Sequence, residues 1–411
     1  MKTKINNIAH NLLTPMVSVS IALLPVNHRV AAITMLLGVV IAIINIVTGE
    51  REQTSRLVSK MDFVLPLLIF LAMIFLGVLY HGNVGAFDNY SRLLILMPIF
   101  FALTNDVKNK ELVVVAIVFA ALWIFSQAVI FKLAGEGVRA RLDYRNAIPL
   151  GNLAAEFGTI LFLYALASDK KRFGKLFLGF VVATALLSVF LSGTKGALLP
   201  FVFIGVATYL LSTLNIYQKL TWILVVIALS VTADILSSGV VSYRFSQAWD
   251  HLSCLASNDW LQCGVGSVSA RVWMWLVVLW DFASSPWVGS GPGSYQTILQ
   301  SYVASGKVPG GVAHLNNPHN DALKLMQEFG IWGLVSYLVL CFGLLRFSIR
   351  LFTANPLSQP WRLIFLGHLV FMILLGLTQS VFSVSSMALL FAFMTMLLAA
   401  FAYDEAKKDT I

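Results

Sequence analysis

The chain has 411 residues, of which 58% are hydrophobic and only 11% charged, with a formal net charge of +9. A soluble domain carries about 25% charged residues, so this composition excludes an ordinary soluble fold. It predicts an all-α polytopic membrane protein, in which the helical bundle is one integral domain whatever its length.

In chain order, twelve apolar runs read as transmembrane helices: 12–26, 30–48, 61–80, 91–104, 112–133, 146–167, 175–191, 196–213, 219–238, 328–347, 362–380 and 383–402. The first and fourth fall short of the roughly 20 residues a straight span needs, and are expected to tilt, to be flanked by polar backbone or to be re-entrant. The first run lacks a cleavage-site pattern, so no removed signal peptide is expected. Residues 1–238 then carry nine helices, 239–327 form one large outer loop containing short helices, and 328–411 carry three helices and the C-terminal tail. Lys and Arg in short loops set the orientation. With the N-terminus in the cytoplasm, Lys2, Lys4, Arg51, Arg56, Lys60, Lys108, Lys110, Lys170, Lys171, Arg172, Lys175, Lys219, Arg346, Arg350, Arg362, Lys407 and Lys408 all fall inside, as do both termini.

The remaining cations go against that rule. Arg29, Arg92, Lys132, Arg139, Arg141, Arg145, Lys195, Arg244, Arg271, Lys307 and Lys324 lie on or near the outer side. Any one of them reads equally well as solvated loop charge, some of it paired with Glu136, Asp143 or Asp281. As a group they bring cations from several loops to one membrane face.

Within the outer loop, SARVWMWLVVLWDFASSPWVGSG reads as a helix lying along the membrane, with Trp273, Trp275, Trp280 and Trp287 as interfacial anchors. Counting it as a span would put the C-terminus outside and spoil the charge pattern. The Gly-rich stretch 289–296 is a turn; a cradle of backbone N–H groups for phosphate is the weaker reading. Cys254 and Cys263 lie in this loop and are expected to pair in an oxidising compartment, the alternative being two free thiols. So short a closed loop would add less than the roughly 3 kcal/mol of a 15-residue one. No CxxC, HExxH, P-loop, GxSxG or Asp-x-Asp pattern is present, so the sequence supports neither a metal nor a nucleotide-driven reaction. No cofactor and no nucleic-acid partner is expected.

Residues 311–330, GVAHLNNPHNDALKLMQEFG, carry His314 and His319. Asn317-Pro318 reads as a helix start, a polar cap followed by Pro. His319 would then sit in the first turn at the positive end of the dipole, where a neutral imidazole is favoured and anions are attracted. Leu323, Met326 and Phe329 follow on one apolar face. A lone His at a helix start is more often incidental; the outer cations are what make this one a candidate base. His314 reads as a loop residue, Asp321 and Glu328 as structural first, and His28 as a weaker base.

These parts suit a ligand with a lipid tail in the bilayer and a pyrophosphate at the surface. Arginine binds two phosphate oxygens at once. If a bond between a sugar C1 and phosphate breaks, fixed cations stabilise the leaving diphosphate, and a neutral His takes the proton of an attacking hydroxyl.

Three motifs carry a family resemblance: SGTKGALL at 192–199, SAR at 269–271 before the Trp-rich helix, and NPHNDALKLMQEFG at 317–330, which fits H-N-x-x-L-x-x-x-x-E-x-G. With the apolar topology, they resemble the O-antigen ligase/polymerase superfamily, and within it the ligases of lipopolysaccharide assembly. The resemblance implies a GT-C-type glycosyltransferase in the inner membrane of a Gram-negative bacterium, with the active site facing the periplasm. It implies transfer of O-antigen polysaccharide from undecaprenyl pyrophosphate to lipid A-core, metal-independent and inverting. The family histidine falls on His319, the loop arginine on Arg271 and the turn cation on Lys195, where members commonly carry Arg. Arg139, Arg141 and Arg145 match no motif and join the pyrophosphate site on physical grounds alone. Rival functions are an O-antigen polymerase, a protein O-oligosaccharyltransferase, a lipid-linked sugar transporter using Glu156 or Asp234, and a structural scaffold.

Overall fold

The computed structural model describes residues 2–48, 59–104, 109–135, 140–141, 147–168, 171–211, 216–236, 239–255, 266, 268–352 and 359–408. Among these residues there is no strand. Long apolar runs fold as helices because a helix satisfies its backbone within one segment. The first hairpin is α1 (Lys2–Leu23) and α2 (His28–Thr48), then come α3 (Lys60–Tyr80), α4 (Asp88–Leu103) and α5 (Lys110–Leu133). Next are α6 (Ala147–Ala167), α7 (Arg172–Ser192), α8 (Lys195–Leu211) and α9 (Ile216–Leu236). Three helices fill the large loop: α10 (Val240–Leu255), α11 (Ser269–Ser284) and α12 (Tyr295–Ala304). The chain ends in α13 (Asp321–Arg350), α14 (Pro360–Gly376) and α15 (Ser385–Lys408).

Among the described residues, eight helices are long and apolar enough to cross a membrane, and three shorter apolar segments accompany them. Of the two runs expected to be short, the first is: its apolar part is Asn11–Leu23. The first lies in a helix of 22 residues that continues through its polar start. The fourth is extended by a 3-10 turn at Val84–Phe87. The other two short apolar segments lie in α8 and α14, helices of 17 residues each.

Burial identifies the centre of the bundle. In α6 and α15, 83% and 89% of the apolar window is buried, against 33% in α2. The outward face of α2 shows Ile33, Leu36, Leu37, Val40 and Ile43, an apolar surface of the kind that lipid covers. Phe63, Phe100, Phe347 and Phe365 knit α3, α4, α13 and α14, with ring centroids of Phe63 and Phe100 4.2 Å apart. One polar lock lies inside. Glu156 on α6 meets His368 Nδ1 at 2.6 Å, and His368 Nε2 lies 3.0 Å from Thr395 Oγ1 on α15. All three side chains are fully buried. Glu156, a transporter candidate by sequence, is thus engaged by a histidine on α14. Asp234 accepts from the Ser242 backbone N–H at 2.8 Å, at the α9–α10 turn.

Segments that the charge pattern puts on one side meet at one rim. At one end Lys110 pairs with Asp404 at 2.8 Å, Arg362 with Glu405 at 3.8 Å and Arg350 with Asp62 at 3.7 Å. The opposite rim gathers the α7–α8 turn, the α14–α15 connection and the α11–α12 layer. That layer has its own core of Trp273, Met274, Val277, Val278, Tyr295 and Leu299, and Met326 of α13 joins it.

Trp273 is therefore a core residue and Trp275 a hydrogen-bonding one, rather than membrane anchors; Trp280 and Trp287 are the exposed pair. The Gly-rich stretch is a plain turn, because its donors are occupied. Ser290 N donates to Gln327 O at 2.9 Å, Gly291 N to Glu328 O at 3.0 Å and Gly293 N to Glu328 Oε1 at 3.3 Å. It docks on a break in α13 at Gly330 (φ 66, ψ −150), whose N-terminal part is the short helix expected there.

Candidate active site at one rim of the bundle

His319 lies just outside the helix, not in its first turn. The cap is Asn320, whose side chain accepts from Leu323 N at 3.1 Å, so α13 starts at Asp321. Asn317 cannot cap because its Oδ1 accepts from His319 N at 3.0 Å and from Ser380 Oγ at 3.2 Å. This local turn holds His319 at φ +51, a left-handed conformation uncommon outside glycine. Outside the helix, the ring's surroundings rather than a helix dipole bear on its charge. Burial, then the charge of Arg271, lower the His319 pKa from 6.5 to about 4, partly opposed by a hydrogen bond to Gln379.

Arg271 comes from the first turn of α11, and burial pulls its pKa below the ordinary value. Trp275 lies one turn further on the same face. Its indole N–H donates to the Pro318 carbonyl at 3.0 Å, which laces α11 to the histidine segment. A third element closes the site. Asp321 accepts from the backbone N–H groups of Val381 and Phe382 at 3.1 and 3.3 Å. Asn320 Nδ2 donates to Leu377 O at 3.3 Å. The α14–α15 connection is thereby clamped across the histidine segment, with buried Gln379 against the ring.

Lys195 opens α8 two residues after Gly193, which ends α7 in a left-handed conformation (φ 61). Its neighbour Gly196 packs on the same connection: a Cβ there would lie 2.7 Å from Gln379 Nε2. The α7–α8 turn and His319 therefore share Gln379. Arg141 is exposed at this rim, its guanidinium 5.3 Å over the Phe131 ring, and Ala140 N donates to Leu191 O at 3.0 Å. Arg139 and Arg145 lie outside the described residues. Cys254 is disulfide-bonded and Cys341 free; Cys263 lies outside the described residues. Two outer cations are engaged elsewhere. Lys324 pairs with Glu328 at 2.7 Å and Arg92 with Asp88 at 3.0 Å. His314 is an exposed turn residue.

A family model described as O-antigen ligase matches residues 180–338, the segment that contains Lys195, Arg271 and His319. Over that segment the chain is similar to the O-antigen ligase family. A relative described as an uncharacterized protein of Haemophilus influenzae is 23% identical over 335 residues, covering 80% of this chain and 82% of the relative. The two motif cations and the imidazole thus come from α8, α11 and the lead-in to α13. Gln379 and the clamp of Asp321 lie partly outside the sequence motifs, and neither was legible from spacing.

Proposed function

We propose that this protein is an O-antigen ligase. It takes O-antigen polysaccharide from an undecaprenyl-pyrophosphate donor and joins it to lipid A-core at the periplasmic face of a Gram-negative inner membrane. In this reading the chain is a GT-C-type bundle of about twelve spans, the 239–327 loop is periplasmic, and membrane lipid surrounds the donor's tail. The observation that carries the reading is a neutral, half-buried His319 facing Arg271 at the rim that also holds the Lys195 turn.

The acceptor hydroxyl oxygen attacks the anomeric carbon from the face opposite the diphosphate. The C1–O bond to phosphate breaks, its electron pair leaves on undecaprenyl pyrophosphate, and the configuration inverts. His319 takes the hydroxyl proton. Arg271 and Lys195, with the 139–145 arginines, hold the diphosphate and stabilise the charge that grows as it leaves. A diphosphate beside Arg271 also offsets the guanidinium's effect on His319. The ring then becomes more basic when the donor is seated, closer to the value that suits proton transfer near neutrality.

The test is reconstitution of purified protein with lipid-linked glycan and lipid A-core. A mass increase on the core supports the reading. Extension of a second lipid-linked glycan would identify a polymerase, and leaflet-to-leaflet movement without product would identify a transporter.

A further inference from the structure

We propose that Gln379 is a positioning residue that fixes the tautomer of His319 and ties it to the Lys195–Gly196 turn, so that the base and the diphosphate-binding turn move as one unit. The catalytic part of this inference rests on the ligase reading; the tautomer and the tie do not.

Gln379 belongs to the connection 377–384, which is held in place independently of His319. Its own N–H donates to Leu375 O at 2.8 Å, and the Thr378 hydroxyl donates to Gly196 O at 3.4 Å. Asp321, Asn320 and Asn317 each bond this connection from the histidine side. Its side chain is buried between the two motifs. The amide nitrogen faces Gly196, at 2.7 Å from where a Cβ would stand, with Thr378 Oγ1 at 2.9 Å. The amide oxygen is then the end left for the imidazole, and it can only accept. A ring N–H donated to Gln379 leaves the second ring nitrogen with its lone pair, the form that takes a proton from a hydroxyl. The bond favours the protonated ring, as an acceptor does, and so works against Arg271. The remaining charged neighbour on the histidine segment, Asp321, is engaged by the Val381 and Phe382 N–H groups. The arrangement also gives Gly196 a reason. Any side chain there would push the amide off the imidazole.

The experiment compares Gln379→Glu, Gln379→Leu and Gly196→Ala in the full-length protein. The first readout is acylation of His319 by diethyl pyrocarbonate across pH, followed by peptide mass spectrometry; it needs no glycan transfer. Glu accepts the same N–H and adds charge, so His319 should titrate at higher pH; Leu removes the bond, so it should titrate lower. The second readout is turnover. Gln379→Leu and Gly196→Ala should lose roughly tenfold to a hundredfold in kcat with donor KM nearly unchanged, and Gln379→Glu should recover part of it. Unchanged titration in both Gln379 variants, or a change in KM alone, overturns the proposal. If the wild type loads no core, the ligase reading fails, while the titration still decides the role of Gln379.

Discussion

His319 lies in the field of Arg271, whose guanidinium disfavours a charge on the imidazole. Burial, then the guanidinium, bring its pKa from 6.5 to about 4. The folded value lies below the unfolded one, so the folded chain binds fewer protons between about pH 4 and 6.5. The stability tied to this group is therefore complete above 6.5 and is lost as pH falls towards 4. Arg271→Gln should raise the His319 pKa, and the acid-side loss of transfer activity should move to higher pH. Acylation titration of His319 checks this; an unshifted value would show that the two groups are not coupled.

A diphosphate should act in the same direction as loss of the Arg271 charge. Adding a short isoprenyl diphosphate to the wild type should raise the pH at which His319 titrates. Lys195→Ala should weaken that response and Lys195→Arg should keep it, because both cations attract phosphate and Arg adds a bidentate fork. The measurement is the midpoint of His319 acylation against diphosphate concentration.

Gly330→Ala should detach the loop layer from the bundle. The position has φ 66 and ψ −150, and a Cβ would meet the Trp287 carbonyl carbon at 2.4 Å. Backbone strain alone costs about 1–3 kcal/mol. The expected result is a lower thermal midpoint and faster proteolysis around Pro286–Gly293. A variant as stable as the wild type would show that the break in α13 tolerates a side chain.

Asp321→Ala should free the α14–α15 connection. It strands two buried N–H groups, each costing about 1–3 kcal/mol. Hydrogen exchange at Val381 and Phe382 should accelerate and transfer should fall. Unchanged exchange would mean that the connection is held by Asn317 and Asn320 without it.

Much of the fold was legible because lipid makes helix position a matter of apolar length, and the twelve runs coincide with helices. His319, Arg271 and Lys195 were singled out by motif, and all three fall in the segment that the family model matches. The start of α13 was misplaced because NNPHND offers three capping side chains, and which one caps depends on a tertiary bond: Asn317 is taken by Ser380 and by the His319 N–H. His368 and Gln379 were missed for a related reason. Each is a single polar residue at an apolar run's centre or end, and its meaning comes from partners, Glu156 and His319, far away in sequence.

The most direct test of the central claim is the transfer rate of His319→Ala in the reconstituted system, with wild type alongside and protein folding checked by thermal unfolding. The account predicts a rate on the order of 10²–10⁴-fold lower, with donor binding retained through Arg271 and Lys195. A folded His319→Ala variant that loads lipid A-core at the wild-type rate would contradict it.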